Sequence, residues 1–147
     1  MSKTPLITGA TGHRGGAVIN ALLDTLEAPK KFTLLALTRN IHSSAATALE
    51  AKSSAIKLIG GNLNASEAIF IRAATPIWGV FSVQNPMGCG ASIEIEERQG
   101  KALVGAAIKH NVKHFVYTSV DRHGARSDTD PTHVPHFASK YRVEKYL

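Results

Sequence analysis

"LITGATGHRGGAVINALL", residues 6–23, sets four glycines, Gly9, Gly12, Gly15 and Gly16, between two apolar runs. Before them, "PLIT" (5–8) is short and apolar and ends at glycine, as a first strand would. After them, "AVINALLDTLE" (17–27) carries Val18, Leu22 and Leu26 on one face, with Ile19 and Leu23 beside them. That is the 3.6-residue period of an amphipathic helix, which Pro29 stops. A glycine loop between a strand and a helix has a specific physical use. Gly9 allows a sharp turn, Gly12 lets the backbone approach a pyrophosphate, and Gly15 and Gly16 let the helix sit close to the sheet. The helix tip then offers N–H groups and a partial positive charge to phosphates. No Gly-Lys-Ser/Thr follows, so a Walker-type loop is excluded.

Working outward, strand-like and helix-like segments alternate. "FTLLALT" (32–38) is nearly continuous apolar sequence, as a strand buried on both faces requires. "SSAATALEAKS" (43–53) favours helix, "AIKLIGG" (55–61) a third strand, and "SEAIFIRAA" (66–74) a short helix capped by Ser66. "WGVFSVQ" (78–84) is the fourth strand, and "NPMGCG" (85–90) a turn-rich loop. The segment 92–112 has Glu94, Glu96 and Glu97 near its start and Lys109 and His110 near its end. Both placements complement a helix dipole, and Asn111 is placed to end that helix in a left-handed conformation. "HFVYTSV" (114–120) is the fifth strand, 121–135 a polar loop, and "HFASKYRVEKYL" (136–147) a last helix. The alternation predicts an α/β domain, a doubly wound parallel sheet of the Rossmann type with about five strands, spanning residues 1–147.

Composition is that of a soluble globular domain: 44% hydrophobic and 19% charged residues. No run approaches the roughly 18 apolar residues of a membrane span, and the N-terminal stretch lacks a secretory apolar core. The single cysteine, Cys89, cannot form an internal disulfide, which points to a reducing, cytoplasmic location. The formal charge of +6 suits anionic ligands. No run of five basic residues and no aromatic-basic interleaving marks a nucleic-acid face, so direct nucleic-acid binding is not expected. The histidines lack the orderly spacing of about four ligands that a zinc site needs, so no metal is expected.

The end of the second strand, "LALTRN", selects the ligand. An acidic residue there binds the ribose 2′-hydroxyl of NAD, whereas arginine suits the 2′-phosphate of NADP. This chain has Arg39, and no acidic residue follows before Glu50. Arg14 adds a second positive charge in the glycine loop. NADP(H) is therefore expected over NAD(H), because arginine's planar fork matches phosphate oxygens.

The glycine spacing is GxxGxxG, and with it the chain resembles the short-chain dehydrogenase/reductase superfamily, in particular its atypical NmrA-like branch. "ITGATGHRGGAV", "LTRN", "GGNLN", "EERQGKALVGAAIKHNVKHFVYTSV" and "HFASKYRVEKYL" all carry the resemblance, which covers the whole chain. It implies that Gly9, Thr11, Gly12, His13, Arg14 and Gly15 surround the pyrophosphate and that Arg39 meets the 2′-phosphate. Asn62, which replaces the usual aspartate, and Leu63 would border the adenine. Val83, Gln84 and Asn85 would pass near the nicotinamide ribose, which Lys140 would contact. Members of the superfamily that reduce carbonyls use Ser, Tyr and Lys, the last two spaced YxxxK. Here Ser119 and Lys140 are kept, but His136 stands where the tyrosine belongs. These three are the only candidates for catalysis.

The resemblance leaves two functions. One is a cofactor-sensing regulator that binds transcription factors or other protein partners, in the cytoplasm and also in the nucleus. The other is an NADP(H)-dependent reductase of quinones or related carbonyls. Family members continue past this point with a sixth strand and a substrate-binding half, so the chain is expected to be incomplete at its C-terminus. That in turn predicts exposed apolar surface at Val143 and Leu147, and self-association through it.

Overall fold

A computed structural model describes residues 2–25, 28–84 and 91–147. Five parallel strands form one sheet in the order β3-β2-β1-β4-β5. They are β1 (Pro5–Ile7), β2 (Leu34–Thr38), β3 (Ile56–Gly60), β4 (Gly79–Ser82) and β5 (His114–Tyr117). Between them run α1 (His13–Leu23), the one-turn α2 (Ala28–Lys31), α3 (Ser44–Glu50), α4 (Ser66–Ala73) and α5 (Ile93–Lys109). Helix α6 (Pro135–Glu144) follows β5. The predicted α/β architecture and parallel sheet are observed. The strand order reverses at β1, which puts the ends of β1 and β4 side by side: Ile7 is in register with Phe81.

The apolar runs divide by alternation. Leu6, Leu35, Leu37, Ile59 and Val80 join Ile69, Phe70 and Leu103 in one core cluster. Ile7, Leu34, Ala36 and Ile56 join Ile19 and Leu49 in the other. Successive side chains leave a strand on opposite faces, so a run such as "LLALT" feeds both cores at once.

Several local expectations are corrected. Helix α1 starts at His13 and ends at Leu23, so Gly15 and Gly16 lie in its first turn; the predicted stop at Pro29 falls within α2. Ser66 does not cap α4. A 3-10 turn (Leu63–Ala65) precedes that helix, Ala65 is its N-cap, and the Ser66 hydroxyl donates to the Leu63 carbonyl at 2.9 Å. Asn111 does adopt a left-handed conformation, with φ of 58°. Helix α6 starts one residue early, at Pro135, whose fixed φ suits the first helical position. Val143 is fully buried against Gly100, so the expected apolar surface does not include it; Leu147 is 54% exposed. Among the described residues, no helix is long and apolar enough to cross a membrane.

Candidate functional site

The glycine turn is dictated by what crowds it. Thr8 is fully buried, and its hydroxyl donates to the Val83 carbonyl at 3.0 Å and accepts from the Val83 N–H at 2.7 Å. That pair locks the end of β1 to the end of β4 and presses Val83 onto Gly9. A Cβ on Gly9 would lie 2.5 Å from a Val83 methyl, and Gly9 has φ of +58°. A Cβ on Gly15 would lie 2.3 Å from the Gly9 carbonyl oxygen and 2.8 Å from that of Thr8. Gly15 is thus where the helix meets the strand-end backbone. Gly16 is not: its Cβ would sit 3.7 Å from the Ala10 oxygen, an ordinary contact. Gly12 caps α1 with no side-chain hydrogen bond, and the first turn contains no acidic residue. The tip's positive partial charge is therefore not offset by the helix's own side chains.

A cleft of about 670 Å³ opens beside this turn, at the carboxyl ends of the strands. Of the residues assigned to a dinucleotide from sequence, Gly9, Thr11, Arg39, Asn62, Leu63, Val83 and Gln84 line it. Thr38, Asn40 and Ser43 extend one wall, and Ile95 and Gln99 of α5 the other. Among the described residues, no Asp or Glu lines the cleft. Gly12, His13 and Arg14 are exposed at the start of α1, outside that lining, and Gly15 is buried beneath the turn. Asn85 and Cys89 lie outside the described residues.

The individual groups are differently committed. Arg39 is exposed and carries no hydrogen bond or ion pair among the described residues. The loop behind it is ordered by its own side chains: Asn40 Oδ1 accepts from the His42 N–H at 2.9 Å, and Ser43 caps α3 through the Ala46 N–H. Asn62 spends its amide oxygen on the Asn64 N–H at 2.9 Å, which leaves the amide N–H₂ for a ligand. Gln84, 3% exposed, donates to the Ser82 hydroxyl at 2.7 Å, and its Oε1 has no partner among the described residues. That oxygen is inaccessible and lies against Gly100 of α5, so it belongs to the packing behind the cleft wall.

A smaller recess of about 450 Å³ adjoins the cleft and shares Arg39, Gly61 and Asn62 with it. Arg72 of α4 lines it as well. Sequence reasoning missed Arg72 because nothing along the chain signals that the last turn of α4 faces the end of β2. A larger groove of about 850 Å³ runs along α5, but four of its charged residues, Glu67, Glu97, Lys101 and Lys109, are held in ion pairs. Glu67 pairs with Lys109 at 2.8 Å and His110 at 3.0 Å, and Glu97 with Lys101 and Arg142 at 2.7 Å each.

The three catalytic candidates are not assembled into one acid–base relay. Lys140 is buried, with its Nζ 2.6 Å from Glu96 Oε1 and 3.2 Å from the Thr118 carbonyl. Ser119 donates to Glu144, whose carboxylate also receives the fully buried Arg122 guanidinium through two N–H groups. Arg122's hydrogen bonds hold the Glu144 carboxyl below the usual carboxylate range. His136 packs edge-on against Phe137. Tyr117, beside Lys140 in space, is held far above an ordinary phenol, first by burial and then by the charges of Glu96 and Glu144.

The NmrA-like family model matches residues 1–147. An "NmrA-like family domain-containing oxidoreductase FrzB" of Cladobotryum sp is 29% identical over 148 residues, 95% of this chain and 40% of that protein. A crystal structure of Citrobacter sp. triphenylmethane reductase complexed with NADP(H) is 26% identical with a TM-score of 0.69, over 98% of this chain and 46% of that one. NmrA, a negative transcriptional regulator, solved in complex with NAD, shares the fold with a TM-score of 0.70 and 21% identity, over 99% of this chain and 41% of that one. The chain therefore spans less than half the length of each of these relatives.

Proposed function

The chain belongs to the NmrA-like family, and from that premise we propose that it binds NADP(H) and acts as a cofactor-sensing regulator through a protein partner. Binding rests on the cleft. Among the described residues, its lining is free of carboxylates and holds an arginine, Arg39, with no partner, and it lies beside a helix tip that has no side-chain cap. These fit a dinucleotide at both ends: Arg39 for the 2′-phosphate, Gly9 to Gly15 for the pyrophosphate, Asn62 and Leu63 for the adenine, and Gln84 for the nicotinamide ribose. The observation that favours regulation over chemistry is the fate of the candidate acid–base groups. Lys140 and Ser119 are each held by a carboxylate, and His136 packs edge-on against Phe137. Calorimetric titration with NADPH, followed by NADPH oxidation over a panel of quinones, tests this. Binding without oxidation is the expected result; sustained quinone-dependent oxidation overturns the regulator.

The second reading is an NADP(H)-dependent reductase, favoured by the likeness to FrzB and to the triphenylmethane reductase. Hydride transfer is supplied by the cofactor when bound, so the absent tyrosine does not exclude it. In that case Lys140, released from Glu96, would hold the nicotinamide-side ribose.

A further inference from the structure

We propose that Arg72 is a second determinant of cofactor choice and that it closes with Arg39 on the 2′-phosphate of NADP(H). The inference rests on the dinucleotide reading above and deepens it. The two arginines come from different elements, the loop after β2 and the last turn of α4, yet they line the same recess of about 450 Å³. Four small residues, Gly60, Gly61, Ala65 and Ala68, share its wall with Asn62 and Ile69. At Gly61 the small size is enforced, because a Cβ there would lie 2.7 Å from Ile69. The recess communicates with the main cleft through Arg39, Gly61 and Asn62, which border both. A group on the adenine-side ribose can therefore reach the space between the guanidinium groups.

The charge balance makes that space selective. Among the described residues, no Asp or Glu lines the recess. Glu67, the acidic residue on α4, is committed to Lys109 and His110. The charges of Arg122 and Arg142 are matched by Glu144 and Glu97. By contrast, among the described residues, Arg39 has no partner and Arg72 donates only to the Gly60 carbonyl. A guanidinium has five N–H donors, so that bond orients Arg72 and leaves the rest of its fork for a ligand. Two like charges on one recess repel until an anion joins them, and a phosphate dianion can accept from both forks. NAD(H), with a hydroxyl at that position, supplies no such charge.

The test is isothermal titration of the 147-residue chain and its Arg72→Gln and Arg72→Ala variants with NADP⁺, NAD⁺, adenosine 2′,5′-bisphosphate and adenosine 5′-monophosphate. Glutamine keeps a donor for the Gly60 carbonyl while removing the charge, so it separates recognition from loop damage. The expected result is an about tenfold weaker affinity for NADP⁺ and the bisphosphate in both variants, with NAD⁺ and the monophosphate changed less than about twofold. Equal weakening of all four ligands, or of none, overturns the role of Arg72. So does a parent chain that binds NAD⁺ as tightly as NADP⁺, although dinucleotide binding would then stand. A parent chain that binds no dinucleotide removes the reading on which the inference rests.

Discussion

At the scale of single residues, the glycine loop separates fold requirements from ligand requirements. Gly15→Ala drives a methyl into two backbone carbonyls, and neither can move without shifting β1. Overpacking against backbone predicts a loss of about 3 kcal/mol in chemical denaturation. Gly16→Ala has room and sits inside a helix, so it is expected to be neutral or to stabilise by up to about 1 kcal/mol. If both variants lost stability equally, the close approach would not be specific to Gly15. The buried Lys140–Glu96 pair yields a second prediction. Glu96→Gln leaves a lysine charge buried without its counter-ion, a loss of about 3 kcal/mol, whereas Glu96→Gln with Lys140→Met together should recover much of it. A double variant as unstable as the sum of the two singles would show that the pair is not coupled. Sequence placed Glu96 only as a complement to the helix dipole. Its counter-ion is 44 residues away, and no periodicity reports a contact at that range.

At the scale of elements, α5 and α6 show what sequence signals carry. The ends of α5 were readable because local chemistry marks them: Glu94 and Glu96 fall in its first turn, Lys109 in its last, and Asn111 turns left-handed. Ser66 misled because a serine before a helix resembles a cap, but the preceding 3-10 turn already occupies that register. The tie between the loop after β5 and α6 was not legible at all. Arg122 is fully buried, donates to the carbonyls of Val120, Ser127 and Asp130, and closes on Glu144. With its folded pKa depressed, Glu144 contributes stability above its unfolded value of about 4.5 and loses it as pH falls through the lower folded value. Glu144→Gln is therefore expected to cost about 2 kcal/mol near neutral pH, somewhat less than for a fully buried pair because Glu144 is 27% exposed. The gap between parent and variant should narrow below about pH 4.5. A gap constant from neutral pH down to about pH 3 would assign the loss to packing instead.

At the scale of the whole molecule, the order β3-β2-β1-β4-β5 puts the reversal point beside the glycine turn, and the cleft follows from it. That much was legible, because alternating apolar runs and one glycine loop specify a doubly wound sheet. The pairing of Arg39 was not. From sequence, Arg14 stands nearest to it in function, yet Arg14 lies outside the cleft lining, and Arg72 is the arginine that shares a recess with Arg39. Tertiary packing of α4 against the end of β3 decides this, and helix spacing alone does not report it. Calorimetric titration of the parent chain and Arg39→Ala with NADP⁺ and NAD⁺ tests the central claim most directly. The account predicts that the parent chain binds NADP⁺ at least about tenfold more tightly than NAD⁺, and that Arg39→Ala loses the preference while still binding NAD⁺. Absence of binding to either dinucleotide, or a preference untouched by Arg39→Ala, would contradict it.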